Sequence, residues 1–113
     1  MQIIHKEQTQ EFKNSDVCTA IEYPLHDKDI NAAVIKLNGR YPDRGRVVNT
    51  ECKELGCVVK GSGKVVVEDV EHILNVEDVV LINSGERFYW EGEMTILMSC
   101  TPAWHPDQHK EVE

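Results

Sequence analysis

RVVNTECKELGCVVKGSGKVVVEDVEHILNVEDVVLINSGERFYW, residues 46–90, decides the fold. No helical period runs through it. Short β-branched and aromatic runs alternate with turn residues instead. Arg46–Asn49 and Leu55–Lys60 read as strands, the second closed by Gly61-Ser62-Gly63. Lys64–Asp69, Glu71–Leu74 and Val79–Ile82 read as three more. A turn at Asn83-Ser84-Gly85 then leads into a strand at Arg87–Trp90.

The same texture extends outward in both directions. Upstream, the segment 16–25 contains VCTAIEY and stops at Pro24, and INAAVIKL at 30–37 runs into Asn38-Gly39, a dipeptide suited to a tight turn. Residues 40–45, RYPDRG, read as a loop. Downstream of a turn at Glu91-Gly92, the segment 93–100 puts Met94, Ile96, Met98 and Cys100 on one face and Thr95 and Ser99 on the other. Only Glu7 to Asn14 suggests a short helix. Pro102 and Pro106 make 101–113 a non-strand tail that wraps over an end or edge. Short strands spaced about 8 to 12 residues apart predict an all-β sandwich or barrel. With 113 residues the chain forms one domain, 1–113.

Composition narrows the function classes. Apolar residues make up 41%, enough for a core, and no run nears the ~20 apolar residues of a membrane span. The start, MQIIHKEQTQ, lacks a secretory layout. A net charge of -8 argues against nucleic acid and anionic membranes, which call for a basic surface. Cys18, Cys52, Cys57 and Cys100 are therefore read as reduced thiols of a cytoplasmic protein. Cys52 falls in a loop, where it should be accessible, and Cys100 on the apolar face of its strand. The spacing of Cys52 and Cys57 with His105 and His109 does not match a zinc finger.

From Arg46 to Trp90 the chain resembles the cupin superfamily. Glu54, six residues and then Gly61 match the end of its first motif, and Val59-Lys60-Gly61-Ser62-Gly63-Lys64 is similar to its glycine turn. Leu74-Asn75-Val76-Glu77-Asp78-Val79-Val80-Leu81-Ile82 resembles the segment between the motifs, with Glu77 in place of a glycine. Asn83-Ser84-Gly85-Glu86-Arg87-Phe88 stands where the second motif ends in histidine. Gly39-Arg40-Tyr41-Pro42 and Cys100-Thr101-Pro102-Ala103-Trp104-His105-Pro106-Asp107-Gln108-His109 resemble short single-domain bacterial cupins. The resemblance implies a jelly-roll barrel of two antiparallel sheets and a homodimer joined by sheet edges and the N-terminal strand.

The departures bear on chemistry. Metal-using cupins hold the ion with two His and a Glu from the first motif and a His from the second. Here the paired positions are Val47 and Asn49, or Val48 and Thr50, depending on register. The last is Phe88, so only Glu54 remains. Such a set cannot build a transition-metal site, and no metal or cofactor is expected. Glu54, on an apolar strand, is a candidate acid or base if it points inward, or a structural partner of Arg40 or Arg46. Asn49, at a former ligand place, is a candidate hydrogen-bonding group. Phe88 and Trp90 would both point inward and form a ligand wall or core packing, with Arg87 and Tyr89 outward. Arg40, in its loop, is either a clamp for a carboxylate or phosphate or a solvated loop charge. His72 reads as a surface residue, and no other histidine falls in the expected barrel strands. The expected function is binding of a small polar or anionic molecule without a metal. The alternative is a metal-independent isomerase or epimerase, which needs a second base near Glu54.

Overall fold

The computed structural model describes residues 1–113. Nine strands appear in chain order: β1 (Gln10–Ser15), β2 (Cys18–Tyr23), β3 (Asn31–Tyr41), β4 (Arg46–Asn49), β5 (Lys53–Val67), β6 (Val70–Leu74), β7 (Val79–Ile82), β8 (Arg87–Thr101) and β9 (His109–Val112). The only helical turns are two 3-10 segments, Lys6–Gln8 and Pro106–Gln108. No helix is long and apolar enough to cross a membrane.

All pairings are antiparallel. The main path runs β1-β2-β3-β8-β4-β9, while β5 pairs with β6, β7 and β8. Strand β8 is bonded along both edges, to β3 and β4 on one and to β5 on the other. The two expected sheets are therefore tied into one sheet that curls on itself.

Alternation along β8 sets the interior. Phe88, Trp90, Met94, Ile96, Met98 and Cys100 are all buried. On β5, Glu54 and Val58 face inward, and so does Val65 beyond a bulge between Val58 and Lys60. One extra residue there switches the inward positions from even to odd numbers, as a period of two requires. The opposite faces of β5, β7 and β8 expose Leu55, Val79, Leu81 and Leu97. Leu55 is registered with Leu81, and Cys57 with both Val79 and Leu97, so these side chains form one uncharged outer patch.

Several expected turns prove to be corners inside long strands. Gly39 pairs with Gly92, and Gly92 with Gly63, giving a row of glycines across β3, β8 and β5. Gly39 and Gly92 both sit at φ 143, a region that side chains rarely adopt. A Cβ on Gly92 would lie 2.6 Å from the Gly63 Cα. Glycine lets the sheet bend there without ending its ladder. The residues read as separate strands on either side of Gly61-Ser62-Gly63, and of Glu91-Gly92, are thus single strands.

Two other expectations are corrected. The stretch from Glu7 to Asn14 is a 3-10 turn followed by β1, because pairing with β2 outweighs a weak helical pattern. The tail is not free of strand either. After Pro106, His109–Val112 pairs with Arg46–Asn49 and extends the sheet edge.

Candidate functional site

A cavity of about 80 Å³ lies inside the curled sheet. Strands β2, β3 and β8 give it an apolar side through Ala20, Ala33, Ile35 and Met98. Phe88, Trp90 and Trp104 supply aromatic walls. The Phe88 and Trp90 rings meet edge to face, at 87° and 6.4 Å between centroids, an arrangement that rings favour. Polar groups enter from Glu54, Tyr41, His109 and Asn31. No Lys or Arg lines it.

Glu54 points inward from β5 and is 8% exposed. Burial disfavours its charge and pushes its pKa up to about 7. The nearby Asn49 amide opposes this, although no hydrogen bond of normal geometry joins the two groups. Glu54 Oε2, Asn49 Nδ2 and Asn31 Oδ1 are buried without a partner. Such atoms are uncommon in folded proteins and call for a ligand, a water or a function. Neither Arg40 nor Arg46 pairs with Glu54. Arg46 bonds to Asp69, while Arg40 donates to the carbonyls of Pro42 (2.6 Å) and Gly45 (3.0 Å).

Arg40 is corrected on two further counts. It belongs to β3 and not to a loop, and its guanidinium stacks on the outward Tyr89 ring, 3.7 Å from the centroid. It holds a corner of the fold and does not reach the cavity. Asn49 also stands outside the cavity lining. Burial settles the register of β4: Val47 and Asn49 face inward, Val48 and Thr50 away. The Asn49 Oδ1 atom accepts from Gln108 Nε2 (3.0 Å) and lies 2.7 Å from His109 Nδ1. Cys52, expected to be accessible, is 1% exposed, because Gln108 and the tail cover it.

His109 is the group that sequence reasoning missed. It belongs to β9, opposite Asn49, and lines the cavity. The signal was present in the tail motif, but two prolines concealed the strand. Its Nε2 lies 3.1 Å from the Tyr41 hydroxyl, and its ring is stacked with that of Tyr41 at 5°. The Trp104 ring packs at 5.4 Å from it. Burial lowers the His109 pKa, favouring neutral imidazole, and raises that of Tyr41.

The residues at the metal positions of the fold do not fit an ion. Val47 and Phe88 have no donor atom, and the Asn49 oxygen is occupied by two neighbours. No group of three or more His, Cys, Asp or Glu side chains is arranged so that it could hold a metal ion. What the cavity brings together is a carboxyl poised near neutrality and a tyrosine–histidine pair. These are proton donors and acceptors, set among aromatic rings.

No protein-family model matches the sequence, and no curated protein matches it. Solved structures do. A Streptomyces Pac13 structure with uridine superposes with a TM-score of 0.90 at 15% identity, covering 100% of this chain and 91% of that one; Pac13 is described as a nucleoside dehydratase. KdgF from Halomonas sp. gives 0.72 at 17% identity, covering 95% and 97%. Ectoine synthase from P. lautus gives 0.75 at 10%, covering 100% and 91%. Likeness at such low identity speaks for the fold and leaves the chemistry open. A curled antiparallel sheet around an inward cavity, shared over nearly the whole chain with these proteins, gives this chain the cupin fold.

Proposed function

We propose that the chain binds a small, uncharged polar molecule in the cavity and moves protons on it with Glu54 and the Tyr41–His109 pair, without a metal. One observation carries the reading: a buried carboxyl with a pKa of about 7 shares its cavity with a neutral histidine bonded to a tyrosine. A group poised near ambient pH gives and takes protons with equal ease. An anionic ligand is disfavoured, because no cation lines the cavity and Glu22 joins Glu54 in it. The aromatic walls suit a flat or sugar-like ring.

The reaction class is proton transfer at carbon beside a carbonyl. One group takes the carbon-bound proton. The other either protonates a departing hydroxyl, releasing water, or returns a proton to the opposite face. The first outcome is a dehydration and the second an epimerisation. Likeness to a nucleoside dehydratase favours the first. Binding alone is the second reading, favoured by the small volume of about 80 Å³, against roughly 300–1,000 Å³ for typical ligand sites.

The test is nuclear magnetic resonance in D2O with uridine and a panel of neutral aldoses and ketoses. Line broadening should identify binders. Exchange of a carbon-bound hydrogen, or loss of water, should disappear in Glu54→Gln and His109→Gln and survive EDTA. Turnover that requires added manganese, iron, nickel or zinc, or that persists in both variants, refutes the proposal.

A further inference from the structure

The polarity of the hydrogen bonds behind the cavity can be read from one fixed end. Backbone N–H groups can only donate. The amides of Glu51 and Cys52 both donate to Gln108 Oε1, at 3.2 Å each, and the Cys52 thiol reaches it at 3.3 Å. Gln108 is 1% exposed and is held further by Thr50, whose amide donates to its main-chain oxygen at 2.9 Å. Its side-chain amide therefore has one orientation, oxygen toward the backbone and Nε2 toward Asn49. Nε2 can only donate, so the Asn49 atom 3.0 Å away must be the oxygen. That oxygen lies 2.7 Å from His109 Nδ1, which must then carry the proton. The other ring nitrogen, Nε2, is left with a lone pair, and Tyr41, 3.1 Å away, must donate to it.

We infer that Gln108, which does not line the cavity, is a positioning residue that fixes His109 as its Nδ1–H tautomer and Tyr41 as the donor to it. The consequence is directional. With its own proton committed to His109, the Tyr41 oxygen faces the cavity as an acceptor. A proton taken from a ligand by Tyr41 is matched by transfer of the phenolic proton to His109 Nε2. The phenol stays neutral and the imidazole becomes imidazolium. The opposite tautomer would donate to Tyr41 and turn its hydroxyl toward the ligand as an acid. Gln108 thus selects base over acid at this end of the cavity.

Gln108→Glu should reverse the chain. One oxygen of the new carboxylate keeps the backbone amides, and the other repels the Asn49 oxygen. The Asn49 amide turns over and donates to both neighbours, which places the His109 proton on Nε2. The tautomer of His109 is read directly by long-range proton–nitrogen correlation spectra of 15N-labelled protein, with the ring assigned by its disappearance in His109→Gln. The native protein should show a protonated Nδ1 and an unprotonated Nε2, and Gln108→Glu the reverse. Gln108→Met, which removes the donor without adding charge, should give mixed tautomers. Adding Asn49→Asp to it should restore the Nδ1–H form, because a carboxylate there can only accept. A native Nε2–H tautomer, or an unchanged spectrum in whichever Gln108 variant folds, overturns the inference. Its value for catalysis rests on the acid–base reading above. If the tautomer inverts in Gln108→Glu while turnover does not change, that reading falls and the relay stands.

Discussion

Replacing Glu54 with glutamine should make the protein more stable at alkaline pH. The carboxyl has a pKa of about 7 in the folded chain, against an ordinary value of 4.5. Because the folded value is the higher one, the folded chain holds its proton longer than the unfolded chain. The stability linked to this group is fully present below pH 4.5 and is lost as pH climbs through 7. A gap of about 2.5 units corresponds to about 3 kcal/mol, reached near pH 8. Glutamine has nearly the same shape and never ionises. The advantage of Glu54→Gln over the native protein should therefore widen by about 2.5 kcal/mol between pH 5 and pH 8, or about 10 °C in melting temperature for a domain of this size. Urea and thermal melts of both proteins at pH 5, 6, 7 and 8 measure this. Other groups titrate too, but they cancel in the difference between the two curves. Parallel curves, or a variant that is less stable at pH 8, would show that Glu54 is held by a partner and is not a strained functional acid. Gained stability with lost activity is the pattern expected of a site that folds under stress in order to act.

Three other outcomes are expected. Gly92→Ala should lower stability by about 2–4 kcal/mol in urea titration, because the new Cβ meets the Gly63 backbone at an unfavourable φ. Thiol titration should find four free cysteines after denaturation but only Cys57 reacting readily in the native protein, since the other three are buried; two or fewer free thiols would refute it. We propose that the uncharged patch around Leu55, Leu81 and Leu97 meets a second copy, so light scattering should give twice 12.9 kDa and Leu55→Glu should halve it; a native protein that scatters as a monomer at micromolar concentration refutes it.

How much the sequence revealed depended on what each residue type encodes locally. Alternation of apolar residues is a local signal, and the inward face of β8 followed from it, whereas Arg46–Asn49 does not alternate and left the register of β4 open until burial decided it. Glycine announces unusual backbone but does not say which kind. Gly39, Gly61, Gly63 and Gly92 were legible as punctuation. Their role as corners in continuous strands depends on partners about 30 to 50 residues away. The shared inward direction of Phe88 and Trp90 was legible because parity fixes which way a strand residue points, while for Glu54 an inward position was one of two open readings. His109 and Tyr41 were not, because their meeting depends on the tail adding a strand to β4. Prolines at 102 and 106 pointed locally to the opposite. Arg40 misled for a similar reason. Its residue type suits anions, but the nearest acceptors to reach it were two carbonyls of its own chain.

The double bonding of β8 divides the molecule into parts that open on different scales. Strand β8 cannot be released without parting both β3 and β5, so its inner amides should exchange with solvent only through complete unfolding. The wall that carries Asn49 and His109 is anchored much more thinly. β4 meets β8 only at Val47 with Phe88 and Val48 with Arg87, and β9 hangs from β4 alone. Hydrogen exchange should therefore find faster opening on the side that holds the histidine than along β3, β5 and β8. Detachment of β9 would take His109 away from Tyr41 and uncover the cavity while the rest of the sheet stays closed. The same thin attachment that hid the site in the sequence would give a bulky ligand a door.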